Sequence, residues 1–348
     1  MTVTMKSIRT FLFCLLVIAL SSCQGIFTES DEPDNPVNVF DYLWNKVDQQ
    51  YTFFDVKDVD WDAVYEQYRP MVNDKMSEDS LFRVCAAILN TLQDGHTNLM
   101  SSFDISRPDS LMYQMTACNQ FNSDLVLLNY LTMEGHTTGS FRHNAIRDGK
   151  VAYIRYSSFS SDITNEDLLY LVDRYKDCEG MILDLRQNGG GSMTNIGMLL
   201  SIFDNHGQVL HHTQMKAGPE HDNYTELNAV HAADSSLLGE NYYRKPVAVL
   251  IDRGSFSATS FFSLSTKVYD NIQLFGDYTG GGLGLPNGGA LPNGWTYRFS
   301  ISRTTDVNGE HPEYENGVPP DVYVLLDPAM TAQGIDNIIE TAADWIMK

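Results

Sequence analysis

Apolar residues recur every three or four positions along the first third of the chain, then give way to short unbroken runs. Val39 to Tyr51, Trp61 to Tyr68 and Ser77 to Leu92 carry Phe40, Leu43, Trp44, Val47, Val64, Tyr68 and Leu81 at helical spacing. That period turns them to one face, so three helices and a small bundle are predicted. Asp60 and Ser77 stand where an N-cap side chain accepts the first free amides, and Gly95 stands where a left-handed cap ends the third helix. From Lys150 onward the pattern alternates. Strands Val151 to Tyr156, Met181 to Leu185, Val247 to Ile251 and Ile272 to Phe275 are interleaved with helices Glu166 to Tyr175, Met193 to Phe203 and Phe256 to Lys267. This order predicts an α/β architecture on a parallel sheet. Trp295 to Ser302 reads as one further strand. Thr331 to Ile346 reads as a closing helix with Ile335, Ile338, Ile339 and Ala342 inward.

The first residues follow a different pattern. Lys6 and Arg9 precede the apolar run Phe11 to Leu20, which ends in Leu20-Ser21-Ser22-Cys23. About ten apolar residues are too few to span a bilayer and fit a secretory signal. The segment resembles a bacterial lipoprotein signal, which implies cleavage before Cys23 and lipid on its thiol. Glu29 to Pro36 is acidic, contains proline and lacks an apolar period, as a flexible tether does. The expected location is the cell envelope, on its periplasmic or its outer face.

Composition narrows the function. The 348 residues are 43% hydrophobic, enough for a sizeable core, and carry a net charge of −22. Such acidity excludes nucleic acid and anionic membrane surfaces as natural partners. Cys85, Cys118 and Cys178 remain beside Cys23 after the signal, too few for a disulfide framework, and Cys85 falls on the apolar stripe of its helix.

Four segments carry candidate chemistry. In Val247-Ala-Val-Leu-Ile-Asp-Arg-Gly-Ser-Phe-Ser257-Ala258, Ser257 falls at a strand-to-helix turn, where the helix offers free amides to a developing oxyanion. A simple helix cap uses the same residues. Asp184-Leu-Arg-Gln-Asn-Gly189-Gly190-Gly191 makes a second such turn with bare amides, without the lysine of a phosphate-binding loop. Asp94-Gly95-His96-Thr97 puts a histidine in the loop after the third helix. Glu313 to Asp321 is rich in Gly and Pro and contains Glu315. His211, His212, His221 and Asp222 match no zinc spacing.

In this order the segments resemble the tail-specific, or carboxy-terminal processing, serine peptidases, on the branch that includes tricorn protease and interphotoreceptor retinoid-binding protein. Gly276-Asp-Tyr-Thr-Gly280 and the late Gly334-Ile-Asp-Asn-Ile-Ile339 extend the resemblance, which runs from about Asn38 to the C-terminus. It implies a crotonase/ClpP-like spiral fold, a Ser257 acyl-enzyme, peptide or unfolded protein as substrate, and neither metal nor cofactor. The expected layout is a signal over residues 1–22, a tether over 23–36, a helical subdomain over 37–99 and a catalytic domain over 100–348. The lysine base of the processing peptidases is replaced, since position 282 is glycine. Lys267 lies ~15 Å from Ser257 at ~1.5 Å rise per helical residue. On the tricorn-like branch the base is the histidine matching His96, and Glu315 matches the acidic member of the tetrad. Gly95 stands where that tetrad has a serine, so Asp94 competes with Glu315 to orient His96. The expected oxyanion donors are amides of Gly189 or Gly190 and of Ala258. Residues 100–150 are too few for an inserted peptide-binding PDZ domain. The alternative is a non-catalytic relative that binds peptides or other ligands in the same cleft.

Overall fold

Three capped helices open the described chain. α1 (Pro36–Gln50) starts at Asn35, whose side chain accepts from the Asn38 amide at 3.0 Å. α2 (Trp61–Tyr68) starts at Asp60, which accepts from Ala63 at 2.9 Å, and α3 (Glu78–Thr91) starts at Ser77, which accepts from Ser80 at 3.3 Å. Each cap satisfies an amide that the helix leaves free. The computed structural model describes residues 33–348, apart from 118–119, 204–206 and 235 and from the side chains of residues 110, 113, 114, 117 and 241. The signal, Cys23 and the tether as far as residue 32 lie outside the described residues, as does Cys118. Among the described residues no helix is long and apolar enough to cross a membrane.

The remaining elements, in order, are β1 (Asn98–Met100), α4 (Asp109–Ala117), β2 (His136–Thr138), β3 (Phe141–Ile146), β4 (Val151–Tyr156), α5 (Asn165–Arg174) and β5 (Gly180–Asp184). There follow α6 (Met193–Leu200), β6 (Val209–Met215), β7 (Asn228–His231), β8 (Val247–Ile251), α7 (Ala258–Thr266) and β9 (Ile272–Gly276). The chain closes with β10 (Pro286–Ala290), β11 (Thr296–Ser300), β12 (Ser302–Thr305), β13 (Val322–Tyr323) and α8 (Asn337–Ile346).

A seven-stranded sheet in the order β13-β9-β8-β5-β4-β3-β2 forms the centre. β13, β9, β8, β5 and β4 run parallel, while β3 and β2 complete one edge antiparallel. Every residue of β5 and β8 is buried, as expected for strands covered on both faces. On one face Met181, Leu183, Val247 and Val249 pack with Leu199 of α6 and Phe261 and Phe262 of α7. On the other, Ile182, Ala248 and Leu250 pack with Ile338, Ile339 and Ala342 of α8. The fold is therefore mixed α/β, with a sheet-rich core and an N-terminal helical region.

The helical region has no private core. Phe40, Leu43, Val47, Leu81, Cys85 and Leu89 share one apolar cluster with Trp295, Tyr297 and Phe299. β11, which supplies Tyr297 and Phe299, belongs to a small antiparallel sheet β1-β11-β10, and β12 to another, β12-β6-β7. The single strand expected over Trp295 to Ser302 is thus two strands that change sheets at Ile301, whose amide is taken by Leu285. The closing helix is shorter than its apolar period. Gly334, at φ +79°, interrupts it, and Asp336 caps α8 afresh by accepting from Ile338 and Ile339.

One buried ion cluster fastens α8 to the sheet. Arg186, fully buried, grips Asp184 through Nε and Nη2 and reaches Asp336 through Nη1 at 2.8 Å. Tyr153 Oη donates to Asp184 at 2.6 Å. Burial pushes the Asp184 carboxyl up, but Arg186 and Arg155 outweigh it and hold it below the ordinary aspartate range. Removing Arg186 would leave the buried Asp336 without its cation and Asp184 with Arg155 alone. Arg186→Ala is expected to cost about 3–5 kcal/mol of unfolding free energy in urea titrations, the range for a broken buried pair.

Candidate active site

The carboxyl ends of β5 and β8, where the chain turns from strand to helix, lie beside that of β9, where it enters a loop, a usual place for sites in open parallel sheets. After β8 the turn is fixed by Asp252, which accepts from the Gln187 amide at 2.8 Å, the Gln187 side chain at 2.8 Å and the Gly254 amide at 3.0 Å. Ser255 is buried, and its hydroxyl donates to the Leu185 carbonyl at 2.9 Å and accepts from the Asp252 amide at 3.0 Å. It is committed to the turn. Phe256 N–H donates to Asn188 and Ser257 N–H to Gly281, both at 3.0 Å. Between these restraints Ser257 adopts φ +56° and ψ −119°, a conformation that few side-chain-bearing residues hold. It caps no helix with its side chain. The hydroxyl is left free for another partner.

That partner is His96. Just past the end of α3, Gln93 has φ +46°, and Gly95 lies outside the left-handed region, so the cap expected at Gly95 is supplied two residues earlier. Asp94 Oδ1 then accepts from the His96 amide at 2.8 Å and turns the chain. Arg298 Nε on β11 donates to the His96 carbonyl at 3.1 Å. The imidazole Nε2 lies 2.9 Å from Ser257 Oγ. Burial lowers the imidazole's pKa, Asp94 pulls it back up, Arg298 and Lys57 push it down and the Gly284 carbonyl raises it, with a net shift below 6.5. A neutral ring at pH 7 keeps a lone pair for a proton.

Glu315 sits in a short turn over Pro312–Asn316 and is buried. Its Oε2 accepts from the amides of Leu283 at 2.6 Å and Gly284 at 3.0 Å, and its Oε1 lies 3.7 Å from Lys57 Nζ. Burial and the Asp94 charge push its carboxyl up to about 8 against the opposing pull of Lys57. No hydrogen bond joins it to His96 among the described residues.

The glycine turn after β5 packs directly against Ser257. A Cβ at Gly190, whose φ is +93°, would come within 2.6 Å of the Phe256 carbonyl and 2.8 Å of the Ala258 nitrogen. Gly190 N–H, expected among the oxyanion donors, is instead taken by Asn188 Oδ1 at 3.1 Å. Gly189 is exposed beside it. The Gly189 and Ala258 amides make no backbone hydrogen bond among the turns and loops described. Lys267 is held by Asp321 at 2.8 Å, away from the site. His211 lies near Ser265, His212 near the Asp306 carbonyl and His221 near Asp48, so these histidines do not converge.

Three residues of the site had no role assigned from the sequence, although Asn188 and Phe256 lie inside the quoted motifs. Asn188 is a buried hub: its carbonyl accepts from Phe256 and Thr259, and its side chain donates to Tyr156 and accepts from Phe159 and Gly190. Phe256 stacks obliquely on His96, ring centres 4.9 Å apart. Tyr51, at the end of α1, faces Asp94 and Glu315; its burial, and then their charges, raise its pKa well above 10. Two cavities flank the centre. One of about 320 Å³ is lined by Lys57, Met115, Arg253, Phe256 and Glu315, and one of about 340 Å³ by Thr97, Met100, Ile105, Arg107 and Arg298; Gly95 borders both.

Comparison with known proteins gives the family. The model of peptidase family S41 matches residues 150–324, half of the chain, and that of the tricorn protease C1 domain matches residues 34–90. The chain belongs to peptidase family S41. It is 25% identical over 186 residues to the carboxy-terminal processing protease CtpA of Bacillus subtilis (strain 168), covering 53% of this chain and 37% of that protein. The match thus spans well under half the length of that relative. A protein of solved structure from Parabacteroides merdae ATCC 43184 is 36% identical with a TM-score of 0.83, over 91% of this chain and 98% of the other. Mature CPAF shares the fold, with a TM-score of 0.59 at 13% identity over 90% of this chain and 96% of its own.

The glycine at 95 has a steric cause. A Cβ there would lie 2.7 Å from Phe256 Cζ, so the aromatic ring fills the space into which a serine side chain would project. Gly95→Ser is therefore expected to destabilise the protein by about 1–3 kcal/mol, the usual cost of overpacking. Phe256→Leu should relieve most of that cost when the two are combined. Urea titration of the two single variants and the double variant measures the coupling, and additive costs would show that the ring and residue 95 do not meet.

Proposed function

We propose that this protein is a serine peptidase that hydrolyses peptide bonds through a Ser257 acyl-enzyme, with His96 as general base. The observation that carries the reading is the 2.9 Å approach of Ser257 Oγ to His96 Nε2 at the start of α7. Membership of a peptidase family supports it. His96, neutral near pH 7, takes the hydroxyl proton as Ser257 Oγ attacks the scissile carbonyl, then returns it to the leaving amine. Water repeats the sequence on the ester and frees the enzyme. The tetrahedral oxyanion is met by the amides of Gly189 and Ala258 at the positive end of α7. Glu315 holds the loop at Leu283 and Gly284, whose carbonyl acts on the imidazole, so it serves His96 at one remove. Peptide substrate lies across Ser257 and reaches the two flanking cavities. The reading includes a lipid anchor on Cys23 in the cell envelope, on the strength of the sequence Leu20-Ser-Ser-Cys23.

Two measurements check the proposal. A fluorophosphonate probe is expected to label the wild-type protein and not Ser257→Ala, while Ser255→Ala, if folded, still takes label. Labelling that survives Ser257→Ala would sink the assignment of the nucleophile. The acylation rate should rise with pH as His96 loses its proton, with a midpoint below the ordinary ~6.5, because burial disfavours the charged ring. His96→Ala should lower the rate by several orders of magnitude, on the order of the loss for a triad histidine. A flat profile between pH 5 and 9 would refute the histidine base.

A further inference from the structure

Buried polar atoms on and around the His96 loop that have no hydrogen-bond partner within 3.5 Å among the described residues include Tyr51 Oη, Asp94 Oδ2, His96 Nδ1 and Thr97 Oγ1. Tyr51 and Asp94 are fully buried and His96 is 6% exposed, so bulk water does not satisfy them. Unpaired polar atoms in such surroundings are costly, and those of Tyr51, Asp94 and His96 call for a shared partner. They are neighbours. Asp94 Oδ1 is tied to the His96 amide, which sets the same carboxylate beside its own histidine, and Tyr51 Oη faces that carboxylate from α1. Nδ1 is the ring nitrogen not used on Ser257. Glu315, by contrast, spends Oε2 on two backbone amides and has Lys57 beside Oε1.

We propose that Asp94 Oδ2 and Tyr51 Oη, through one bound water, hold His96 Nδ1–H and so keep Nε2 turned toward Ser257. Asp94 and Tyr51 are then the positioning residues of His96, and Glu315 anchors the loop over it. The inference rests on the Ser257–His96 reading. A water accepting from Nδ1–H, donating to Asp94 Oδ2 and meeting the phenol would make the about three bonds common for a buried water. The hydrogen on Nδ1 leaves the Nε2 lone pair for the serine proton. The Gly284 carbonyl is the rival acceptor for Nδ1–H, and its position depends on Glu315. The charged and titratable groups around the ring are Asp94, Tyr51, Glu315, Lys57 and Arg298.

Asp94→Asn keeps an acceptor for the His96 amide and replaces only Oδ2, and Tyr51→Phe removes only the phenol oxygen. Two readouts are taken on the mature chain: the fluorophosphonate acylation rate against pH, and the tautomer and pKa of His96 by ¹⁵N NMR. Asp94→Asn is expected to slow acylation ~100-fold, less than the ~10,000-fold for a directly bonded carboxylate because water intervenes. It should also lower the His96 pKa, since a carboxylate charge is lost, and depopulate the Nδ1–H tautomer. Tyr51→Phe should slow the wild type about tenfold and the Asp94→Asn variant hardly at all, as members of one network do. Glu315→Gln should leave the tautomer unchanged. An unchanged tautomer and pKa in Asp94→Asn, or a larger loss in Glu315→Gln than in Asp94→Asn, overturns the proposal. Wild-type protein that takes no label overturns the peptidase reading instead, and the NMR result still decides the link between Asp94 and His96.

Discussion

The site depends on one strained residue. Ser257 at φ +56° and ψ −119° holds a conformation that costs on the order of 1–3 kcal/mol, so its neighbours must over-determine it. They do so from three strands at once. Asn188, after β5, accepts from Phe256; Gly281, after β9, accepts from Ser257; and Gly280 donates to Ser255 at 2.7 Å. Asp252 closes the turn from within through Gln187 and Gly254. The parallel order of β5, β8 and β9 places these loops side by side, and the burial of the central strands keeps them rigid. Strain at the serine is thus maintained by the whole carboxyl edge of the sheet.

The histidine reaches that edge from elsewhere in the chain. His96 follows α3, whose inner face packs with Tyr297 and Phe299 of β11, and Arg298 on the same strand holds the His96 carbonyl. The helical region and the late strands form one apolar cluster, so the distance between His96 and Ser257 is set by packing between regions far apart in sequence. Phe256 completes the fit. Its ring lies against Gly95 and against the imidazole, which removes the room for a serine hydroxyl.

Much of this was legible in the sequence because it is local. Ser77 and Asp60 cap helices as their spacing predicts, and the apolar run Val247 to Ile251 is a fully buried strand. Ser257, His96 and the Gly189 turn could be picked out because strand-to-helix turns and family motifs are short. What failed was non-local. The break at Ile301 is made by a bond to Leu285, and the restart of α8 by Gly334 and the Asp336 cap, so apolar alternation ran through both. Gly190 looked like a free donor, but Asn188 turns back onto its amide. β6 and β7 carry polar residues such as His212, Gln214 and Asn228, so no apolar period marked them. Tyr51 reads as the last apolar residue of a helix, and nothing in the sequence places its phenol beside Asp94.

Under the proposed mechanism, the choice of histidine over lysine as base follows from the same burial. A general base must be neutral when the serine loses its proton. A lysine would need its pKa lowered by about 3 units from ~10.4, which at ~1.36 kcal/mol per unit is about 4 kcal/mol of destabilised ammonium. Burial, Arg298 and Lys57 already push the His96 ring below its ordinary value, so it is neutral near pH 7 without that cost. Position 282, where the resemblance to the processing peptidases implies a lysine, has φ +76° here, and a Cβ there would strike the Phe256 ring. The geometry that seats Phe256 against His96 therefore also excludes a lysine at 282, and the two features of the site have one cause.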